Sequence, residues 1–370
     1  MALLHMSHEE DERWMRECFR LAKMGTGNVS PNPLVGAVVV LNGKVLGKGF
    51  HMKFGGPHAE VLAIRNAMKW RSSLRGATMY VNLEPCAHHG KTPPCVNAIV
   101  AQGISRVVAA MKDPNPQVAG RGFNFLRSSG AEVVTGVLAN EAEKLNEKFS
   151  KYITTGLPFV ALKVAQTSDG FVASTNGASK WITTIQSRRM AHVLRVEYDG
   201  VIVGAGTIIS DDPHLTVRYV KGRNPRRIVL DGRLRSPLSA NLFNDRGRKE
   251  TIVFSDRTQA RKARNFRRKG IEVVLMKGRD GTISVSKILA DLGKRGIASI
   301  LVEGGPATYR SFLEAGVVDK MYLFTSPKKF GEGLSAFGSL IRIFALREKK
   351  KSRLAGDTLV EGRVVFRARG

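Results

Sequence analysis

One histidine, two cysteines and a glutamate constrain this 370-residue chain more than anything else in it. His58 stands two residues before Glu60, and Cys86 and Cys95 enclose eight residues. A neutral imidazole and two thiolates can hold Zn²⁺ tetrahedrally and leave a fourth position for water. A metal so placed lowers that water's pKa toward ~7. A carboxylate two residues from the histidine is not needed as a ligand and is suited to carry the water's proton to a leaving group. These donors must be delivered from separate segments to one point. The pattern around them expects His58 and Glu60 at the start of one helix, Ala59 to Trp70, and Cys95 in the first turn of another, Pro94 to Gln102. Cys86 would follow the strand Thr78 to Leu83. Ligands at two helix N-termini, reached from strand ends, expect a compact site on an α/β sheet.

H-x-E followed by P-C-x-x-C is the pattern of zinc-dependent nucleobase deaminases. The spacing here departs from it: the cysteines enclose Ala87-His88-His89-Gly90-Lys91-Thr92-Pro93-Pro94, six residues more than the generic motif. Prolines and a glycine stiffen and turn the insert. With two His and a Lys it reads as a substrate-recognition loop over the open side of the metal.

The remaining chain expects two α/β domains. Around the metal motif come a helix from Glu10 to Met24 and the hairpin Val35 to Leu41 and Lys44 to Phe50 on an Asn42-Gly43 turn. Strands Val107 to Met111 and Glu132 to Thr135 follow, then a helix from Glu141 to Tyr152. Thr155-Gly156-Leu157-Pro158 reads as a hinge. Beyond it, strands near Phe159–Gln166, Gly200–Val203, Arg227–Leu230, Glu250–Phe254, Ile271–Leu275, Ser299–Val302 and Lys320–Thr325 are mostly separated by helical patterns at Ile185–Arg195, Arg257–Lys269, Val285–Arg295 and Thr308–Ala315. Lys349-Lys350-Lys351 reads as a solvated turn before a last hairpin near Thr358–Phe366.

The charge is uneven. Residues 1–150 carry 18 Lys+Arg against 12 Asp+Glu, so +22 of the net +28 falls in the remainder. Such charge suits anionic partners, either nucleic acid or phosphorylated small molecules, and equally a solvated cationic surface. Only three cysteines and no export signal exclude a disulfide scaffold and expect a cytoplasmic protein. Cys18 reads as a small buried residue. The apolar run Leu34 to Leu41 is too short to span a membrane.

Taken together, the motifs resemble a known family. Pro31-Asn32-Pro33-Leu34-Val35-Gly36, Gly55-Gly56-Pro57-His58-Ala59-Glu60 and the run Leu83 to Cys95 closely resemble the bifunctional deaminase/reductases of riboflavin biosynthesis. Asp113-Pro114-Asn115-Pro116, Ala119-Gly120-Arg121-Gly122 and Leu145-Asn146-Glu147 match as well. So do Leu162-Lys163, Ser168-Asp169-Gly170, Ser179 to Thr183, Val203 to Thr207, Asp211 to Arg218 and Val302-Glu303-Gly304-Gly305. Phe171 departs from the family, where Lys or Arg is expected.

The resemblance implies an N-terminal cytidine-deaminase-like α/β/α domain over 1–156 and a C-terminal dihydrofolate-reductase-like α/β domain over 157–370. It implies one Zn²⁺ per chain on His58, Cys86 and Cys95, with Glu60 catalytic, and a deaminase pocket lined by Asn32, His51, His88 and Lys91. In the reductase it implies substrate contacts from Lys163, Ser179, Arg195, Leu215, Arg218 and Glu303, with Arg195 and Arg218 suited to a 5′-phosphate. NADPH would be held by Ala165, Trp181, Thr183, Thr207 and Asp211 and by the turn of Gly305, Pro306, Ala307, Thr308, Tyr309 and Arg310. The expected partners are thus a phosphorylated pyrimidine and NADPH, without membrane or nucleic acid, in a homo-oligomer (dimer or tetramer).

Blander readings stand beside these. His51 can simply pack against the sheet, His89 can face solvent, Asp169 can serve only its turn, and Trp181 can be core. A deaminase acting on RNA or a free nucleoside would use the basic surface for phosphate contacts, but would favour the short cysteine spacing that is absent here. A scaffold with a dead reductase half would not need Lys163, Asp211, Arg218 and Glu303.

Overall fold

The computed structural model describes residues 8–90, 93–175 and 182–367. It divides into two compact units, residues 1–156 and 157–370.

The first unit runs α1 (His8–Lys23), β1 (Gly36–Leu41), β2 (Lys44–Phe50), α2 (Ala59–Ala67), β3 (Thr78–Val81), α3 (Cys95–Ala101), β4 (Arg106–Ala109), α4 (Arg121–Ser128), β5 (Glu132–Thr135), α5 (Ala139–Leu145) and α6 (Glu147–Thr155). The sheet order is β2-β1-β3-β4-β5; β1 is antiparallel to both neighbours, and β3, β4 and β5 are parallel. β1 is apolar throughout because both its faces are covered. Ala37 and Val39 pack with Ala59, Ala63, Ile99 and Phe123, whereas Val38 and Val40 pack with Trp14, Met15, Cys18 and Phe19 of α1. The result is an α/β/α sandwich. Asn42 and Gly43 take the positive φ values, 51° and 71°, of a tight hairpin turn.

Two glycines of β2 let α2 settle directly on the sheet. A Cβ at Gly47 would lie 2.2 Å from the Ala63 carbonyl oxygen, and one at Gly49 would lie 2.3 Å from that of Ala59. The nearest helix atoms at both glycines are backbone atoms of alanines, so backbone meets backbone.

The helix expected over Glu141 to Tyr152 is broken at Asn146, between α5 and α6. The Asn146 side chain is engaged elsewhere: it accepts from Leu34 N–H at 2.8 Å and donates to the Leu34 carbonyl at 3.1 Å. Asn82 adds a second amide clamp, accepting from Gly36 N–H at 2.7 Å and donating to Leu34 O at 2.8 Å. The 31–36 motif is thus held from two sides by amide side chains.

The second unit runs β6 (Phe159–Thr167), β7 (Phe171–Ala173), α7 (Ile185–Glu197), β8 (Gly200–Gly204), α8 (Ala205–Asp211), β9 (Arg226–Leu230), β10 (Thr251–Asp256), α9 (Ala260–Arg268), β11 (Glu272–Met276), α10 (Val285–Lys294), β12 (Ser299–Val302), α11 (Pro306–Glu314), β13 (Lys320–Ser326), β14 (Leu334–Ser335), β15 (Phe344–Leu354) and β16 (Asp357–Phe366). Its nine-stranded sheet has the order β11-β10-β9-β8-β12-β6-β13-β16-β15. The strands from β11 to β13 are parallel, and β16 and β15 extend the β13 edge as an antiparallel hairpin. The chain leaves β8 toward β9 and leaves β12 toward β13, on opposite sides. A crevice therefore opens at the carboxyl ends of β8 and β12, where α/β sheets bind ligands.

Two expectations change here. Lys349, Lys350 and Lys351 are not a turn but part of the exposed edge strand β15. Lysines on an edge discourage pairing with another sheet. The turn comes later, at Ala355 and Gly356, with φ of 49° and 97°. The helix α8 and the two-stranded sheet of β7 and β14 are additions; segments of two, three and seven residues carry too little periodicity to be read. Among the described residues no helix is long and apolar enough to cross a membrane.

The α2 seat makes a prediction. Gly49→Val should force α2 off the sheet and cost about 1–3 kcal/mol, lowering the first unit's melting temperature by about 2–4 °C per kcal/mol. Because α2 carries His58, zinc retention after dialysis should fall with it. Calorimetry and metal content check both.

Candidate active sites

The first site lies at the N-termini of α2 and α3. His58 is the N-cap of α2, in extended conformation, and Cys95 opens α3. Cys86 reaches the same point from the segment after β3. The donor atoms of His58, Cys86 and Cys95 all lie within 4.8 Å of one another. His58 Nδ1 is 3.2 Å from Cys95 Sγ and 3.5 Å from Cys86 Sγ. Tetrahedral zinc with bonds of ~2.3 Å to sulfur and ~2.0 Å to nitrogen requires nitrogen–sulfur edges of about 3.5 Å. The residues therefore fit the ion. The Cys95 side chain first, then His58 and the Cys95 backbone N–H, favour a thiolate on Cys86 and hold it below the ordinary thiol range. The same contact, with burial, pushes the Cys95 thiol far up.

Glu60, in the first turn of α2, is 4% exposed, and its Oε2 has no protein hydrogen-bond partner. Burial first, and then the Cys86 thiolate, lift its carboxyl to about 7. A carboxyl that titrates near neutrality can both take and give a proton.

His51 is buried and fixed in one tautomer. Its Nδ1 lies 3.1 Å from the Pro57 carbonyl, which can only accept, so Nδ1 carries the proton. Nε2 then accepts from Asn32 Nδ2 at 3.1 Å. Burial lowers the His51 pKa and keeps the ring neutral. The ring also packs edge-on against His58, with centroids 5.4 Å apart. The cleft over these groups measures about 340 Å³, and Asn32, His51, His58, Glu60, Cys86 and His88 all line it. His89 is exposed. Lys91 lies outside the described residues.

Glu84 had no role assigned from sequence, yet it organises one wall. Its buried carboxylate accepts from the backbone N–H of Asp113, Gly120, Gly122 and Phe123 at 2.8 to 3.3 Å. The motifs 113–116 and 119–122 are thereby folded around one side chain. The signal was present as a glutamate adjoining Pro85 inside an apolar segment, where an unpaired carboxylate is not expected.

The second site is the crevice of the second unit, with a volume of about 810 Å³. It is lined by Ala165, Thr183, Thr207 and Asp211 and by Gly305, Pro306, Ala307, Thr308 and Tyr309, as well as Lys163 and Glu303. Helix α8 places Thr207 and Asp211, and α11 begins with Gly305 as N-cap and Pro306 in its first turn. A Cβ at Gly206 or Gly305 would meet nothing within 4 Å, so open space adjoins the backbone there. Bare glycine backbone at a helix N-terminus fits a pyrophosphate.

A buried charge cluster closes the floor. Arg195 Nε and Nη2 donate to the two Glu303 oxygens at 2.6 and 3.0 Å, and Lys163 Nζ lies 3.9 Å away. Burial alone would raise the Glu303 carboxyl, but Arg195, Lys163 and His192 hold it down to about 2. Burial lowers the Lys163 pKa.

The structure gives several expected residues different partners. The Arg195 fork, expected on a phosphate, grips Glu303, and its Nη1 donates to the Thr216 carbonyl at 3.0 Å. Arg310 turns from the crevice to pair with Glu314 at 3.4 Å on the exposed side of α11. Leu215 is 2% exposed and belongs to the core. Arg218 is exposed. Asp169 serves its turn and more: it accepts from Thr167 Oγ1 and from the N–H groups of Phe330 and Gly331. Ser179 and Trp181 lie outside the described residues.

A zinc donor set beside a buried carboxyl, and a separate parallel sheet with a glycine-lined crevice, define a two-unit enzyme of the zinc deaminase and dinucleotide-dependent reductase classes. Residues 8–111 match the cytidine and deoxycytidylate deaminase zinc-binding region, and residues 158–360 match the RibD C-terminal domain. The chain is 45% identical to the riboflavin biosynthesis protein RibD of Aquifex aeolicus, over 96% of this chain and 99% of that one. It is 38% identical to RibD of Escherichia coli, over 87% and 89%. A solved diaminohydroxyphosphoribosylaminopyrimidine deaminase/5-amino-6-(5-phosphoribosylamino)uracil reductase of Thermotoga maritima superposes with TM-score 0.85 at 42% identity, covering 96% and 99%. RibD of Acinetobacter baumannii superposes with TM-score 0.86 at 34% identity, covering 97% and 100%. The chain belongs to the RibD family.

The Glu303 cluster carries a prediction. Arg195→Met should leave a buried carboxylate poorly paired and destabilise the second unit by about 3–5 kcal/mol. Adding Glu303→Gln should recover most of the loss. Because the folded Glu303 carboxyl lies below its ordinary value of about 4.3, its contribution is complete above that pH and lost as pH falls toward about 2. Urea titrations of both variants across that range check the assignment.

Proposed function

We propose that this chain catalyses two consecutive steps of riboflavin biosynthesis. The first is hydrolytic deamination of 2,5-diamino-6-ribosylamino-4(3H)-pyrimidinone 5′-phosphate. The second is NADPH reduction of the ribosyl group, giving 5-amino-6-ribitylaminouracil 5′-phosphate. The observation that carries the first step is Glu60, a buried carboxyl with one oxygen left without a protein partner, two residues from His58 and beside three zinc donors.

His58, Cys86 and Cys95 would hold Zn²⁺, which when bound would supply a water acidic enough to lose a proton near neutral pH. The water oxygen bonds to the ring carbon that bears the amino group, and Glu60 relays one of its protons to the adjacent ring nitrogen and the other to the amino group; the C–N bond breaks, ammonia leaves and the C–O bond becomes a carbonyl. The Asn32 amide is oriented by the His51 tautomer, with its nitrogen toward the ring. Its carbonyl oxygen is then left for an N–H of the heterocycle. His88 offers a further hydrogen bond from the inserted loop.

In the second unit NADPH supplies the hydride. The Gly305 turn and α8 would hold its pyrophosphate and sugars. Lys163 and Glu303 present a cation and a carboxylate to the ribose hydroxyls. With Arg195 committed to Glu303, Arg218 is the other of the two expected arginines and the one we assign to the 5′-phosphate. The thiolate donors suit the reducing cytoplasm, where we place the enzyme.

Glu60→Gln keeps size and polarity but cannot shuttle protons. Ammonia release should fall roughly 10²–10⁴-fold while zinc stays bound and NADPH oxidation on deaminated substrate is unchanged. Near-normal ammonia release would refute the role. Chelation should separate the steps in the same way: deamination stops and reduction continues, with one Zn²⁺ per chain recovered by elemental analysis.

A further inference from the structure

Helix α7 grips the segment Leu215 to Arg218 at two points. Arg195 donates to the Thr216 carbonyl at 3.0 Å, and His192, three positions earlier on the same face, accepts from the Arg218 N–H at 2.9 Å through Nδ1. Between them Val217 N–H donates to Asn224 Oδ1 at 2.7 Å. Three consecutive residues are thus held by side chains rather than by a strand or helix. The segment starts with Leu215 at φ 55°, a left-handed conformation that leucine keeps only where its surroundings over-determine it. What this fixed segment presents is Arg218, exposed, its guanidinium without hydrogen bond or ion pair among the described residues.

His192 is built for a constant role. It is 4% exposed, and the Tyr219 ring packs edge-on against it at 4.7 Å. Burial first, then the cations of Arg195, Arg218 and Lys163, bring its imidazole down to about 4, against the pull of Glu303. Nδ1 therefore stays an acceptor throughout the neutral range, with the proton on Nε2.

We propose that His192 is a positioning residue of the reductase site, fixing the backbone of Arg218 so that its guanidinium stands ready for the substrate's 5′-phosphate. This rests on the reading of Arg218 given above. Arg195 takes part in the same clasp: one guanidinium orders Glu303 toward the sugar and the phosphate-binding segment beside it.

His192→Leu keeps bulk and removes the acceptor, while His192→Asn returns an oxygen near the place of Nδ1. In the full-length protein, His192→Leu should raise the reductase KM for the phosphorylated substrate roughly 5- to 100-fold, the effect of leaving one N–H unpaired. Its kcat, its NADPH dissociation constant and deamination should stay close to wild type. His192→Asn should recover most of the KM. With dephosphorylated substrate His192→Leu should add little. Arg218→Ala should raise KM as well, and the double variant should be no worse than Arg218→Ala alone.

An unchanged KM in His192→Leu, equal damage from Asn and Leu, or a loss in kcat rather than KM would each overturn the proposal. If His192→Leu raises KM while Arg218→Ala does not, both the proposal and the Arg218 reading fall. If only Arg218→Ala raises it, the Arg218 reading stands alone. Should His192→Leu fail to fold, Asn224→Ala tests the same clasp from an exposed position, with a rise in KM expected and an unchanged KM overturning it.

Discussion

Close contact between helix and sheet is the constraint on which both sites depend. Each site opens at the N-terminus of a helix, and each helix is admitted by glycine. In the first unit α2 rests on Gly47 and Gly49. In the second, a Cβ at Gly204 would lie 2.6 Å from Thr308 Oγ1, and one at Gly304 would lie 2.4 Å from Thr308 Cβ. Side chains at these places would lift α2 and α11 from their sheets. His58 and Glu60 would then leave Cys86 and Cys95, and the Gly305 turn would leave the crevice.

With the helices seated, buried carboxylates differ by what meets them. Glu84 receives four backbone N–H groups and is structural. Glu303 receives a bidentate guanidinium and remains ionised. Glu60 has one oxygen without a protein partner, and its carboxyl rises toward neutrality. A buried charge is costly unless compensated, so the uncompensated carboxyl, beside the zinc donors, is the one raised furthest toward its neutral form. The three share a residue type; their hydrogen-bond partners are what set them apart.

The polar clamps explain why stretches of apparently chemical residues recur between the sites. Asn82 and Asn146 hold the backbone of Leu34, which follows directly on Asn32 and Pro33 of the cleft wall. In the second unit the same logic holds 215–218 through His192, Arg195 and Asn224. Loops that must present a side chain lack a ladder of their own, so their peptide groups are satisfied by side chains from neighbouring elements.

By itself the sequence determined the zinc donors, the α/β character of both halves and most element positions, and it singled out Glu60 beside those donors. Metal ligation and strand–helix alternation are written in residue type and spacing, and β2, β5 and β12 begin and end where their patterns do. It could not determine pairings between distant side chains. Arg195 matched a phosphate ligand by chemistry, and only the fold places Glu303 within 2.6 Å of it. Asn146 lay in a good helical pattern, and only the fold brings its side chain to the Leu34 backbone at the point where the helix is broken. Lys349 to Lys351 looked like a turn because charge alone does not distinguish a loop from a solvent-facing edge strand. Spacing along the chain fixes what a residue can do, but hydrogen bonds and burial act across space, so the partner that decides what it does comes from tertiary structure.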